Sequence, residues 1–185
     1  MKLSTGNTKL GRIVNWNLPV VTTCRHPSPW CFEHCYAKKG RYGFPNTQNL
    51  YRENYQASKR ENFADLMRAM LLKAKAEVVR VHCSGDFYDQ AYLDEWLEIA
   101  RTLPDLNFFA FTKSYDLDFS LRPENFTIRE STDITRFPRT GLPEAFTGEQ
   151  NLMKLFPCRH LQDGTQCTEC RFCFETEKGV WFTPH

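Results

Sequence analysis

The sequence predicts an α/β fold: a parallel sheet or partial barrel over residues 1–150, followed by a cysteine-rich extension over 151–185. Three observations predict it. Short β-branched apolar runs alternate with segments of helical periodicity, the order expected of strand–helix–strand units. Polar residues collect where the apolar runs stop. Seven of the eight cysteines fall in two groups, one near each end of the chain.

The elements follow in order. "RIVNWNLPVVTTC" reads as a strand with Cys24 at its C-terminal end. A loop punctuated by Pro27, Pro29 and Gly40 comes next. Residues 47–76 have helical spacing and good helix formers, with a break near Asn62. "EVVRVHCSGD" is a short strand ending in a small-residue turn. "DQAYLDEWLEIARTL" is an amphipathic helix, with Asp89 as N-cap and Pro104 just past its end. "NFFAFTKS" and "NFTIRESTD" are two further strands. In open α/β sheets ligands bind outside the carboxyl ends of the strands. The expected strand ends carry Cys24, then Cys83-Ser84-Gly85-Asp86, then Thr112-Lys113-Ser114, then Glu130-Ser131-Thr132-Asp133. These sets would share one rim, a composition suited to an active site, although strands also end in polar turn residues for purely local reasons.

Hydrophobic residues make up 41% of the chain, enough for a core, and the net charge of +2 neither demands nor forbids an anionic partner. The N-terminal "MKLSTGNTKLGR" lacks the apolar stretch of a secretory signal, and no run approaches a membrane span. A cytoplasmic protein is expected, with its thiols reduced. Clustered cysteines in that setting point to metal rather than to disulfides.

Cys24, Cys31 and Cys35 form a C-x6-C-x3-C set. Three thiolates can hold three irons of a [4Fe–4S] cluster and leave the fourth open. Zinc competes, because His26 and His34 lie in the same loop, but zinc sites favour paired C-x2-C knuckles. Cys158, Cys167, Cys170 and Cys173 form C-x8-C-x2-C-x2-C, which resembles a ferredoxin run and can close a site completely. A second [4Fe–4S] cluster is the preferred reading there and zinc the alternative, with His160 a competing ligand. Cys83 stands alone: it is either a small buried hydrophobe or a fourth ligand that would fill the open iron. His82 reads as a packed core histidine.

A three-cysteine loop ending in "CYA" resembles that of the radical S-adenosylmethionine (SAM) enzymes, with a wider spacing than is usual there. "CSGD" stands where that superfamily keeps a Gly-Gly-Glu type motif, and "FTKS" resembles the "TKS" of one of its branches. "LSTGNTKLG", "VRVHCSGDFYD" and the terminal "C-x2-C-x2-CF" are similar to the phage-borne gene product 88 family over nearly the whole chain. The resemblance implies a small partial (β/α) barrel of radical SAM type, with two [4Fe–4S] clusters and SAM as cofactors. It implies cleavage of SAM to a 5′-deoxyadenosyl radical and an electron donor as partner. Carried over by position, Tyr36 would lie beside the first cluster, and Ser84, Gly85 and Asp86 would meet the SAM amino end. Thr112, Lys113, Ser114, Ser131 and Asp133 would serve its carboxylate and ribose.

No substrate follows. Lys38, Lys39, Arg41, Tyr42, Arg52, Lys59 and Arg60 mix charge and aromatics as nucleic-acid surfaces do, and equally as a solvated helix face does. A substrate of macromolecular size, nucleic acid or protein, would close so small a barrel. The alternative to an enzyme is a non-catalytic iron–sulfur or zinc protein that binds nucleic acid or a partner protein.

Overall fold

The computed structural model describes residues 1–137 and 140–184. The chain opens with an antiparallel hairpin that the sequence reading does not contain. β1 (Ser4–Asn7) pairs with β2 (Gly11–Trp16), and the turn needs the left-handed φ of Gly11, at 67°. β2 then joins a parallel series with β3 (Val78–Val81), β4 (Asn107–Thr112) and β5 (Phe126–Asp133). Three short strands continue it: β6 (Glu144–Thr147), β7 (Phe156–Pro157) and β8 (Val180–Phe182). The sheet runs β1-β2-β3-β4-β5-β6-β8-β7, and every pair after the first is parallel. Residues 151–185 therefore supply two strands of the same sheet.

The first strand is shorter than expected. It stops at Trp16, and "VVTT" is a turn closed on Pro19, whose carbonyl accepts from the Thr23 hydroxyl (2.9 Å) and the Thr23 amide (3.3 Å). Proline has no N–H to extend a ladder, so the β-branched run after it curls back and Val21 takes a φ of 70°. Cys24 thus lies beyond a turn, not at a strand end.

The helical stretch divides into α2 (Pro45–Ala57) and α3 (Phe63–Lys73), with the expected break between them. α4 (Gln90–Thr102) begins where expected: the Asp89 carboxylate accepts from the Tyr92 amide at 2.8 Å. Alternation along the strands sorts the two sheet faces. Val79, Val81, Phe108, Ala110, Phe126 and Ile128 pack with Phe63, Met67, Leu71, Trp96 and Leu97 of α3 and α4. The opposite face carries Val78, Phe109 and Ile13, and it is covered by the C-terminal cysteine segment, whose Phe174 lies 5.4 Å from the Phe109 ring. That segment comprises α5 (Arg159–Asp163), α6 (Cys167–Cys170) and α7 (Phe172–Glu175). No helix among the described residues is long and apolar enough to cross a membrane.

Candidate metal centre

The N-terminal cysteines are carried partly on a short helix, α1 (Pro29–His34), that was read from sequence as loop. Ser28 caps it. Its hydroxyl accepts from the Cys31 amide at 3.0 Å and donates to the Asp133 carboxylate at the end of β5. Pro29 fits the first turn, where its missing N–H has no partner to lose. Cys31 lies within the helix, and Cys35 follows its last residue as the C-cap, with an extended backbone. Cys24 lies within electrostatic reach of both. Burial, then the Asp86 carboxylate, then these neighbouring thiols push the Cys24 thiol up to about 12. Burial likewise raises Cys31, and only the Lys113 ammonium opposes it to any extent.

The C-terminal cysteines gather on α5–α7 and the turns between them. Burial raises Cys167, and the charges of Cys158 and Cys170 add to it. Burial lifts Cys173 to about 12, with Arg129 opposing and Cys167 and Cys158 adding. Arg129 on β5 is fully buried and, among the described residues, has no carboxylate in ion-pair contact. Its guanidinium donates instead to four backbone carbonyls: Lys178 (2.5 Å), Thr176 (2.6 Å), Cys173 and Phe172 (both 3.4 Å). The Cys167 amide donates to the Lys9 carbonyl at 2.8 Å, tying this segment to the β1–β2 turn as well.

Both groups face one cavity of about 500 Å³ on the sheet face opposite α3 and α4. Every cysteine except Cys24 contributes to its wall. All eight are free thiols. Among the described residues no three His, Cys, Asp or Glu side chains already stand close enough to hold a metal ion. The donor chemistry nevertheless suits a soft metal or an iron–sulfur cluster. Six half-buried thiols from the two sets line a shared space, and a bound cation would offset the charge that ionising them creates. Cys83 is buried in the apolar cluster on this face, with Leu10, Ile13 and Phe109, and burial raises its thiol.

The expected SAM contacts divide in two. Tyr36, Lys113, Ser131 and Asp133 line the cavity. Tyr36 donates to the Cys83 carbonyl at 2.5 Å, and Lys113 donates to the Ser131 carbonyl (2.8 Å) and to Asp133 (2.9 Å). Burial works to raise Asp133, but hydrogen bonds from Ser28, Thr135 and Lys113 hold its carboxyl below the ordinary range.

Ser84, Gly85, Asp86, Thr112 and Ser114 are instead engaged with the chain itself. Ser84 donates to the Leu18 carbonyl (2.9 Å) and Ser114 to the Phe87 carbonyl (2.6 Å). Asp86 accepts from the Lys113 amide (2.7 Å), Thr112 (2.7 Å) and the Phe87 amide (2.8 Å). Burial outweighs those bonds and raises it to about 6. Gly85, at φ 79°, leaves no room for a Cβ, which would meet the Thr23 hydroxyl at 2.5 Å and Leu18 at 2.7 Å. These residues clamp the turn that presents Cys24.

Sequence reasoning missed Ser28, Asn17, Arg80 and Arg129. The Asn17 carboxamide oxygen accepts from the Cys83 (2.7 Å) and Ser84 (3.2 Å) amides. Ser28 was legible: a serine directly before a proline is a helix-start signature. Of the basic residues around α2, Lys38 donates to the Phe32 carbonyl (2.6 Å), Lys59 lies over the Tyr55 ring (3.9 Å), and Arg52 donates to Asn49 (3.0 Å).

Residues 1–176 match the family model described as Gene product 88. The chain belongs to that family. It is also 22% identical over 221 aligned residues to the Gene 88 protein of Mycobacterium phage D29, covering 96% of this chain and 90% of that protein. No solved structure matches it.

Proposed function

We propose that this gene product 88 family member is an iron–sulfur enzyme of radical SAM type. In this reading Cys24, Cys31 and Cys35 hold one [4Fe–4S] cluster with an open iron. Cys158, Cys167, Cys170 and Cys173 hold a second, fully ligated cluster. The observation that carries the reading is the shared cavity: Cys31 and Cys35 of the first set and all four thiols of the second face one space beside the carboxyl ends of parallel strands, and Cys24 lies within electrostatic reach of Cys31 and Cys35. An eight-stranded sheet with helices on one face and the cavity on the other suits a small partial barrel.

With such a cluster bound, the site would supply one-electron reduction of a sulfonium cofactor, the chemistry of SAM cleavage. The chain's own residues position and shield. Ser28 and Asp133 fix the helix bearing Cys31. Asn17, Gly85 and Asp86 fix the turn bearing Cys24. The Lys113 ammonium, bonded to Asp133, would meet the SAM carboxylate, and Tyr36, Phe109 and Phe111 supply an aromatic part of the cavity wall.

Anaerobic purification tests the reading. It predicts brown protein with about eight irons per chain, and 5′-deoxyadenosine on reduction with SAM. Colourless protein carrying zinc, and no SAM cleavage, would favour a non-catalytic metal-stabilised protein.

A further inference from the structure

Four cationic side chains of the cavity wall have no part in the reading above, Lys9, Arg80, Arg159 and Arg171, and the first two carry a further inference. Arg80 projects from β3 on the face opposite Val79 and Val81, which turn toward α3 and α4. Its guanidinium lies over Phe111 (5.0 Å) and Phe109 (5.8 Å) and, among the described residues, makes one hydrogen bond, from Nε to the His82 carbonyl at 3.3 Å. Lys9 Nζ sits 4.6 Å from the Phe182 ring centre, and Phe182 meets Phe111 edge-on at 5.7 Å. The two cations are thus joined through one aromatic stack. Both act on the charges of Cys83 and Cys167. Among the described residues neither has an ion-pair partner. The acidic residue in the cavity wall, Asp133, is already bonded to Lys113, while Arg159 and Arg171 pair with Asp163 and Glu175.

Two half-buried cations in one apolar-walled space repel each other and lose hydration unless an anion joins them. A guanidinium that spends one of its five N–H groups among the described residues matches a two-oxygen anion. We propose that Arg80 and Lys9 form an oxyanion subsite, binding the carboxylate or phosphate of an organic substrate in the cavity between the two cysteine groups. The subsite assigns a substrate class to the cavity of the proposed function. Its chemistry stands on Arg80 and Lys9 and does not require that iron, rather than zinc, be the bound metal.

The test is calorimetry on the full-length protein with benzoate, phenyl phosphate and the neutral benzyl alcohol, with metal content measured on the same samples. Benzoate and phenyl phosphate separate the two anion sources; benzyl alcohol isolates the charge. At least one anion is expected to bind below about 10 mM while benzyl alcohol does not. Arg80→Gln should weaken that anion about tenfold or more, and Arg80→Lys and Lys9→Gln each by a smaller factor. The proposal is overturned if neither anion binds, or if benzyl alcohol binds as tightly. It is equally overturned if Arg80→Lys and Lys9→Gln, the milder changes, both bind as the parent does. A change of metal content with unchanged anion binding would assign the two cations to the thiolates instead, and would also overturn it.

Discussion

The two cysteine segments are held by different physics. Residues 24–35 are positioned from outside, by polar side chains on strand ends and adjoining turns: Ser28 to Asp133, Asn17 to the Cys83 and Ser84 amides, and Asp86 to Thr112 and Lys113. Residues 158–173 are held as a plug. Phe174 fills the apolar face of the sheet, and Arg129 gathers the carbonyls at the end of the plug. The first device fixes three thiols without enclosing them. The second carries four thiols on short helices and the turns between them, with carbonyls at their end gathered by one buried cation. In the proposed reading the open site is the one braced from outside, and the closed one is part of the fold.

The sharpest way to break the comparison is Arg129→Met. It leaves carbonyls in a buried environment without donors, and should cost on the order of 3 kcal/mol. Denaturant unfolding and metal content should show the C-terminal set lost while the N-terminal set persists. Equal loss from both sites would show that the two are not independently held.

Acid should act on the N-terminal bracing. His82 is buried at the end of β3, bonded to Tyr92 at 2.9 Å, and burial lowers its value to about 3 from an ordinary 6.5. A depressed histidine is neutral when folded, so its contribution is complete above pH 6.5 and is lost as pH falls toward 3. Asp86, raised from 3.8 to about 6, has the opposite sign and favours the folded state as pH drops through that window. His82→Gln should therefore flatten the acid limb of the stability profile by about 3 kcal/mol between pH 6.5 and pH 4. An unchanged limb would show that His82 does not govern it.

Ser28→Ala removes a helix cap and the link to Asp133 together. It should cost about 1–2 kcal/mol and lower metal occupancy at the N-terminal site alone. The mildest change is Glu175→Gln, which breaks an exposed pair with Arg171 and should cost less than about 0.5 kcal/mol in thermal unfolding.

The central α/β order was legible because β3, β4, β5 and α4 each carry their own periodicity. The extent of β2 was not, because Val20 to Thr23 have strand propensity but follow a proline whose carbonyl closes a turn. β1, β6, β7 and β8 are two to four residues long and exist only as partners of longer strands, so no local pattern announces them. The grouping of the cysteines was visible in their spacing. That both groups face one cavity depends on the long-range return of β8 to β6, which spacing does not encode. Asp86 shows the same limit: a carboxylate after a glycine turn suggests a ligand contact, while its three bonds within the chain are visible only in three dimensions. Arg129 and Arg80 lie within apolar strand runs, where alternation set them facing the cavity side, but nothing local told what they would meet.

The decisive measurement is electron paramagnetic resonance on reduced Cys170→Ser/Cys173→Ser protein, which isolates the N-terminal site, with and without SAM. The account predicts a cluster signal that SAM perturbs, because one iron is free to accept its amino and carboxylate groups. A cluster signal indifferent to SAM, or zinc bound by Cys24, Cys31 and Cys35, would contradict it.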